Sequence, residues 1–167
     1  MALEHTFALV KTGAYDRMQL SQIKAAIADA GLTIEPGPRP FGTRIFQRDL
    51  AKFEELYQEH RDRPYYKELL ASVSPMSWAL ILTGEDAVAR WRALMGPTDP
   101  IKARLEAPDS LRAQFGGEAL PDNAVHGSDS RAAAQWEATI FSPRIGLGMQ
   151  YKYHLPNLLK RVHIRDK

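Results

Sequence analysis

Met76-Ser77-Trp78-Ala79-Leu80-Ile81-Leu82 is the stretch on which the fold turns. It is short, bulky and nearly unbroken in apolar character, which reads as a buried strand. A second run of the same kind, Phe7-Ala8-Leu9-Val10, sits inside His5 to Lys11 near the start of the chain. Neither run approaches the length that a bilayer crossing demands, so no membrane span is expected. Buried strands need partners on their faces, and the segments around them supply helices.

Outward from the two strands the apolar spacing becomes helical. Met18 to Ala30 places Leu20, Ile23, Ala26, Ile27 and Ala30 on one stripe, and Gly31 is a natural C-terminal stop. Leu32 to Ile34 returns to extended structure, Pro36 to Pro40 resists a helix, and Arg44-Ile45-Phe46 reads as another extended run. Asp49 is expected to cap a helix carrying Leu50, Phe53, Leu56 and Tyr57, and Pro64 to open a short helix through Leu70. After the central strand, Thr83 or Glu85 opens a helix with Val88, Trp91 and Met95 inward. Residues 96–109, with Pro97, Pro100 and Pro108, read as a long irregular loop. Asp109 or Ser110 caps a brief helix with Leu111 and Phe115, and a strand follows near Ala124 to His126. Ser130 caps a last helix reaching about Phe141. This alternation is too short for a doubly wound domain. It predicts an α+β fold of the ferredoxin-like, split βαβ kind: a four-stranded antiparallel sheet covered by helices.

The chain has 167 residues, one domain's worth, and its 44% apolar and 25% charged content is that of a folded protein. It contains no cysteine, which excludes disulfides, thiolate nucleophiles and cysteine metal sites. Charge divides it in two. Residues 144–167 carry six basic groups against one acidic, whereas residues 1–143 carry 16 basic against 19 acidic. The division therefore predicts a domain over 1–143 and a basic C-terminal extension over 144–167, with the extension a candidate surface for a protein partner. A mildly acidic body does not suit a nucleic-acid surface. The first residues show no signal peptide, so a cytoplasmic protein is expected, or a mitochondrial one if a presequence has been trimmed.

The segment most suggestive of chemistry is Asn123-Ala124-Val125-His126-Gly127-Ser128-Asp129-Ser130. An imidazole at the end of a short buried strand needs little activation to act as a nucleophile. Gly127 leaves its approach clear, Ser128 offers a hydrogen bond, and Glu137, in the following helix, can return toward the ring. A carboxylate there orients an imidazole and stabilises positive charge on it. A capping or core histidine is the plain alternative. Arg92, Arg112, Lys11 and the Thr98 hydroxyl make up a set suited to a polyphosphate, the guanidiniums through bidentate forks. The GxxxxGK[ST] loop is absent from the sequence.

Residue types and order together resemble the nucleoside diphosphate kinase family, whose signature is Asn-x-x-His-Gly-Ser-Asp. Further matching blocks are Tyr57 with Arg61 to Tyr66, Arg92 to Pro100, and Ser110-Leu111-Arg112, in family order from Thr6 to about Phe141. The resemblance implies a ping-pong kinase that moves a γ-phosphate from a nucleoside triphosphate to a nucleoside diphosphate through phosphohistidine on His126. It implies phosphate contacts from Lys11, Tyr57, Arg92, Thr98 and Arg112, sugar contacts from Asn123 and Lys11, and a base held between Tyr65 and Leu120. Ser128 and Glu137 would support the histidine. Mg²⁺ would be bound through the nucleotide phosphates, with no protein metal cage.

The chain departs from that pattern in several places. Lys-Pro-Asp after the first strand is Lys11-Thr12-Gly13, the usual Phe at the base is Tyr65, and the loop after Pro100 is lengthened. With the basic tail, these mark a divergent branch. A homodimer through the sheet edge and the early helix with Ile23 and Ile27 is expected. A hexamer is in question, because Lys102 and Arg104 would crowd like charges at a threefold axis. The alternative to an active kinase is a weakly active or inactive relative that works as an interaction protein.

Overall fold

In a computed structural model of the chain, the residues described are 3–14, 17–35, 43–46, 49–74 and 76–141. The stretch Pro36 to Pro40 and the extension 144–167 lie outside them. The elements run β1 (Glu4–Val10), α1 (Arg17–Asp29), β2 (Thr33–Ile34), β3 (Thr43–Phe46), α2 (Leu50–Leu56), α3 (Tyr66–Ala71) and β4 (Met76–Gly84). They continue with α4 (Ala87–Met95), α5 (Pro100–Glu106), α6 (Leu111–Phe115), β5 (Val125–Gly127) and α7 (Arg131–Phe141).

β4 and β1 form the centre of the sheet, paired antiparallel from Glu4↔Gly84 to Val10↔Trp78. β5 adds to the far side of β1, with Leu9 opposite His126. On the outer side of β4, β2 pairs at Thr83 and Leu82 while β3 pairs from Ala79 to Met76. Five short strands thus occupy four positions, with the edge strand split in two. All pairings are antiparallel, and the order is that of a ferredoxin-like fold.

The uninterrupted apolar runs follow from burial on both faces. Ala8, Val10, Leu80 and Leu82 pack with Ile23, Ile27, Trp91 and Met95 from α1 and α4. Phe7, Leu9, Ala79 and Ile81 pack on the opposite side with Phe53, Leu56, Leu69 and Phe141 from α2, α3 and α7. Glu4 ties the layers at one end: its carboxylate accepts from the Val88 N–H at 3.1 Å and from Arg131 Nε at 3.1 Å.

Most helix boundaries agree with the sequence reading. α1 ends where expected: Gly31 takes φ +72°, the Gly31 N–H donates to Ala28 O at 2.9 Å, and the Leu32 N–H donates to Ile27 O at 3.0 Å. That is the reciprocal closure of a left-handed C-terminal cap. Ser110 and Ser130 cap α6 and α7 through Ala113 N and Ala133 N.

Five expectations are corrected. Asp49 makes no capping hydrogen bond and instead pairs with Lys52 at 3.7 Å. Pro64 lies in the turn before α3, which starts at Tyr66. The inward face of α4 is Ala87, Trp91 and Met95, and Val88 is only half-buried. The region read as an irregular loop after Pro100 contains α5: the Asp99 carboxylate accepts from Ile101 N and Lys102 N, and Pro100 sits in the first turn. Lastly, Ile23 and Ile27 are 0% and 1% exposed, so these two side chains of the early helix belong to this chain's own core. The charge argument against a hexamer changes too. Lys102 pairs with Glu106 at 3.6 Å, and Arg104 donates to Gly116 O and Gly117 O at 2.6 and 3.0 Å.

Candidate active site

The ends of β1 and β5, the C-terminus of α4, α6 and the α2–α3 turn converge on one cleft of about 460 Å³. Lys11, Tyr57, Tyr65, Arg92, Thr98, Arg112, Leu120, Asn123 and His126 all line it. The sequence had singled out every one of them. Ser128 and Glu137, the latter on α7, stand behind His126 and are both buried.

The chain reaches His126 through a tight bend. Ala124 takes φ +63°, and the Val125 N–H donates to Asn123 O two residues back at 2.7 Å. A non-glycine residue in that region is strained by about 1–3 kcal/mol and persists only where its surroundings hold it. Here Ala124 O accepts from the Lys11 N–H at 2.8 Å, and Ala124 is fully buried. The main chain of His126 is fixed from the other side, where Trp91 Nε1 donates to His126 O at 3.3 Å. Gly127 is required by the same contact, because a Cβ there would run into the Trp91 indole. Trp91 was read from the sequence as a core residue alone; its contact with His126 was not foreseen.

Glu137 Oε2 accepts two hydrogen bonds, from Ser128 Oγ at 2.6 Å and from His126 Nε2 at 3.1 Å. Ser128 therefore acts on the ring through the carboxylate rather than directly. With Nε2 committed to Glu137, Nδ1 is the nitrogen left for attack. The ring edge meets Tyr57 at 5.8 Å between centroids, and Phe7 lies 6.1 Å away. Tyr57 is 5% exposed and its hydroxyl has no hydrogen-bond partner among the described residues. Burial, then the charge of Glu137, push its ionisation above the ordinary range, so it stays a neutral donor.

Opposite His126 the cleft is cationic. Arg112 is held by backbone oxygens: Nη1 donates to Gly96 O at 2.9 Å, while Nε and Nη2 donate to Val125 O at 3.4 and 3.2 Å. Burial and the neighbouring Arg92 lower its pKa to about 10, still charged at neutral pH. Arg92 is exposed at the end of α4, and Thr98 is exposed in the turn beyond. Asn123 donates through Nδ2 to Thr98 O at 3.0 Å, leaving Oδ1 buried without a partner among the described residues. Lys11, 2% exposed, donates to Pro121 O at 2.9 Å. Tyr65 and Leu120, which also line the cleft, are 45% and 53% exposed and present their apolar surface to solvent. His60 was missed in the sequence. It lines the cleft, accepts or donates at Nδ1 to the Tyr65 hydroxyl at 3.1 Å, and stands three residues after Tyr57, where a helical turn would have placed it.

Lys11 has the most perturbed basic group. Desolvation, then the charge of Arg112, lower it to about 7, against an upward pull from Asp122. An unfolded lysine keeps its proton to about pH 10.4, so between there and neutrality the unfolded chain holds more protons. Stability of the protein alone should therefore rise with pH across that window. An anion in the cleft reverses the preference and recharges Lys11. Binding of a polyphosphate anion at about pH 8 is expected to take up close to one proton. Calorimetric titration in buffers of differing ionisation enthalpy reads this directly, and a Lys11→Met variant should show no such uptake.

Among the described residues, no group of three or more His, Asp or Glu is placed to hold a metal ion. No helix among them is long and apolar enough to cross a membrane.

Comparisons with known proteins converge. A profile of the nucleoside diphosphate kinase family matches residues 4–145. The nucleoside diphosphate kinase of Aquifex aeolicus is 39% identical over 139 residues, covering 82% of this chain and 92% of that protein. That of Bordetella petrii is 36% identical over 148 residues, covering 88% and 98%. Among solved structures, the Aquifex aeolicus nucleoside diphosphate kinase superposes with a TM-score of 0.76 at 35% identity, over 87% of this chain and 99% of that one. A halophilic nucleoside diphosphate kinase from Halobacterium salinarum, solved in complex with CDP, gives 0.70 at 30% identity, over 84% and 88%.

Proposed function

The chain belongs to the nucleoside diphosphate kinase family, an enzyme that moves a γ-phosphate between nucleotides through a phosphohistidine, and on that premise we propose which of its residues perform each step. The observation that carries the assignment is the His126–Glu137 hydrogen bond at 3.1 Å, which occupies Nε2 and leaves Nδ1 on a ring that lines the cleft with Lys11, Arg92 and Arg112.

His126 Nδ1 attacks the γ-phosphorus of the bound triphosphate. The Nδ1–P bond forms as the bond from phosphorus to the bridging oxygen breaks, and that oxygen leaves on the diphosphate with its electron pair. Nε2 keeps its proton throughout, and Glu137 stabilises the positive charge that develops on the ring. Arg92, Arg112, Thr98, Lys11 and the neutral Tyr57 hydroxyl neutralise the transferring group, whose chemistry is mostly positioning and charge. A second nucleoside diphosphate then enters the same cleft, and a terminal phosphate oxygen takes the phosphoryl group back from Nδ1.

The sugar and base complete the fit. The free Oδ1 of Asn123 is an acceptor suited to a sugar hydroxyl, and Lys11 can donate to the same oxygen. Tyr65 and Leu120 clasp the base by stacking and apolar contact, which suits purines and pyrimidines alike. The cleft's own donor set, Lys11, Arg92 and Arg112, is cationic and would not hold Mg²⁺, so the metal would enter with the nucleotide and would supply further neutralisation of phosphate charge.

The test is a chase. Protein incubated with γ-labelled ATP and Mg²⁺, then freed of nucleotide, should retain label and release it onto an added nucleoside diphosphate. Transfer that requires both nucleotides present together would overturn the two-step reading.

The same proposal extends to assembly, compartment and tail. A homodimer along the edge that β2 leaves open is its minimum, with a hexamer still available, and light scattering distinguishes them. The compartment is the cytoplasm, or a mitochondrion if a presequence is removed. The basic segment 144–167 is an extension to the kinase domain, available to a protein partner.

A further inference from the structure

The Lys11-Thr12-Gly13 turn lacks the proline and the carboxylate of the family pattern. In the folded chain a carboxylate reaches that place from another loop. A Cβ built on Gly13 would stand 2.7 Å from Asp122 Oδ1, so the Asp122 side chain occupies the room that a side chain at position 13 would need. A Cβ on Gly117 would run into Oδ2 of the same carboxylate. Asp122 is thus seated between two glycines, one from each loop.

Its backbone is anchored. The Gly117 N–H donates to Asp122 O at 2.7 Å, and the Asp122 N–H donates to Ala119 O at 3.1 Å. The residues on either side face the cleft: Pro121 accepts from Lys11 Nζ, and Asn123 reaches Thr98. The charged and titratable groups that line the cleft with Lys11 are Arg112 from α6, Arg92 from α4, His126 from β5, and Tyr57, Glu59, His60 and Tyr65 from the segment between α2 and α3. Arg112 disfavours the ammonium, and Asp122 is the carboxylate that favours it.

We propose that Asp122 is a positioning residue for Lys11, supplying from the 116–122 loop the negative charge that position 13 lacks and so holding the ammonium ready for the nucleotide. The proposal deepens the reading of Lys11 as a phosphate and sugar contact and rests on it. Its physical content is that a carboxylate from the facing loop fills the room beside Gly13, so that a negative charge stays near the same lysine.

The experiment follows kcat/KM against pH for wild type, Asp122→Asn, Lys11→Met and the relocated pair Gly13→Asp with Asp122→Gly. Asp122→Asn keeps shape and loses only charge. It should leave the melting temperature in place, match wild type near pH 6, and fall about tenfold above neutrality, for each unit that the Lys11 titration moves down. Gly13→Asp alone should be worse, since two carboxylates then compete for one space. The relocated pair should recover toward wild type, a non-additivity that a loop with a merely structural role would not give. An Asp122→Asn profile that superimposes on wild type overturns the proposal, and it decides the matter alone if the relocated pair does not fold. A folded relocated pair no better than Gly13→Asp also overturns it. Full activity in Lys11→Met would overturn the underlying reading of Lys11 instead, so the two failures are told apart.

Discussion

His126→Ala is expected to fold as wild type does and to lose nucleotide phosphate transfer by about four decades or more, the scale for deleting a covalent nucleophile. Folding should survive because the backbone at this position carries the structural contacts. His126 pairs with Leu9 in the sheet, and its carbonyl takes the Trp91 hydrogen bond. The imidazole bonds Glu137 and meets the rim of Tyr57, and its one core neighbour among the described rings is Phe7, 6.1 Å away between centroids. Intact-mass measurement after incubation with ATP and Mg²⁺ should find one acid-labile phosphate on wild type and none on the variant. A variant that still accepts phosphate and passes it to GDP would remove His126 from the role.

Arg92→Ala and Arg112→Ala should each lower turnover by about two to three decades, as expected for one lost charge contact to a transition state. Their effects on stability should separate. Arg92 is exposed and has no hydrogen bond to another described residue, so its removal should leave the melting curve where it was. Arg112 is 8% exposed and bonds the carbonyls of Gly96 and Val125, joining the end of α4 to β5. Its alanine variant should lose about 1–3 kcal/mol of stability, the range for buried acceptors left without donors. Parallel thermal melts and steady-state kinetics check both halves. Unchanged kinetics in a folded variant would exclude that arginine from the phosphate clamp.

Much of this architecture could be read before any coordinates, for reasons particular residues make plain. β1 and β4 are apolar on both faces because helices cover both, and a run such as Trp78 to Leu82 has no other soluble use. α1 announces its end because Gly31 adopts the left-handed conformation that closes a helix. The cleft residues were legible because they sit at strand and helix ends, in the short blocks that resemble the kinase family. α5 was hidden by its prolines. Three of them within 96–109 suggested an irregular loop, although Asp99 followed by Pro100 is a helix start in its own right.

What stayed hidden depends on contacts between distant segments. The indole of Trp91 bonds the His126 carbonyl 35 residues away. A sequence period marks the indole as buried, not as bonded. Asp122 beside Gly13 is the same case: neither residue signals the other until both loops are in place. His60 carried a readable signal in its spacing from Tyr57, but its link to the Tyr65 hydroxyl needed the turn between α2 and α3. Asp49 went the opposite way, with the right residue type for a cap but the wrong backbone, at φ −96° and ψ 21°.

The central claim is that Glu137 occupies Nε2 of His126 and leaves Nδ1 to carry the phosphate. Nitrogen–phosphorus coupling in the NMR spectrum of the ¹⁵N-histidine-labelled phosphoenzyme tests it most directly. The account predicts a single phosphorylated nitrogen, Nδ1 of His126, with Nε2 still protonated. Phosphate on Nε2, or on any residue other than His126, would contradict it.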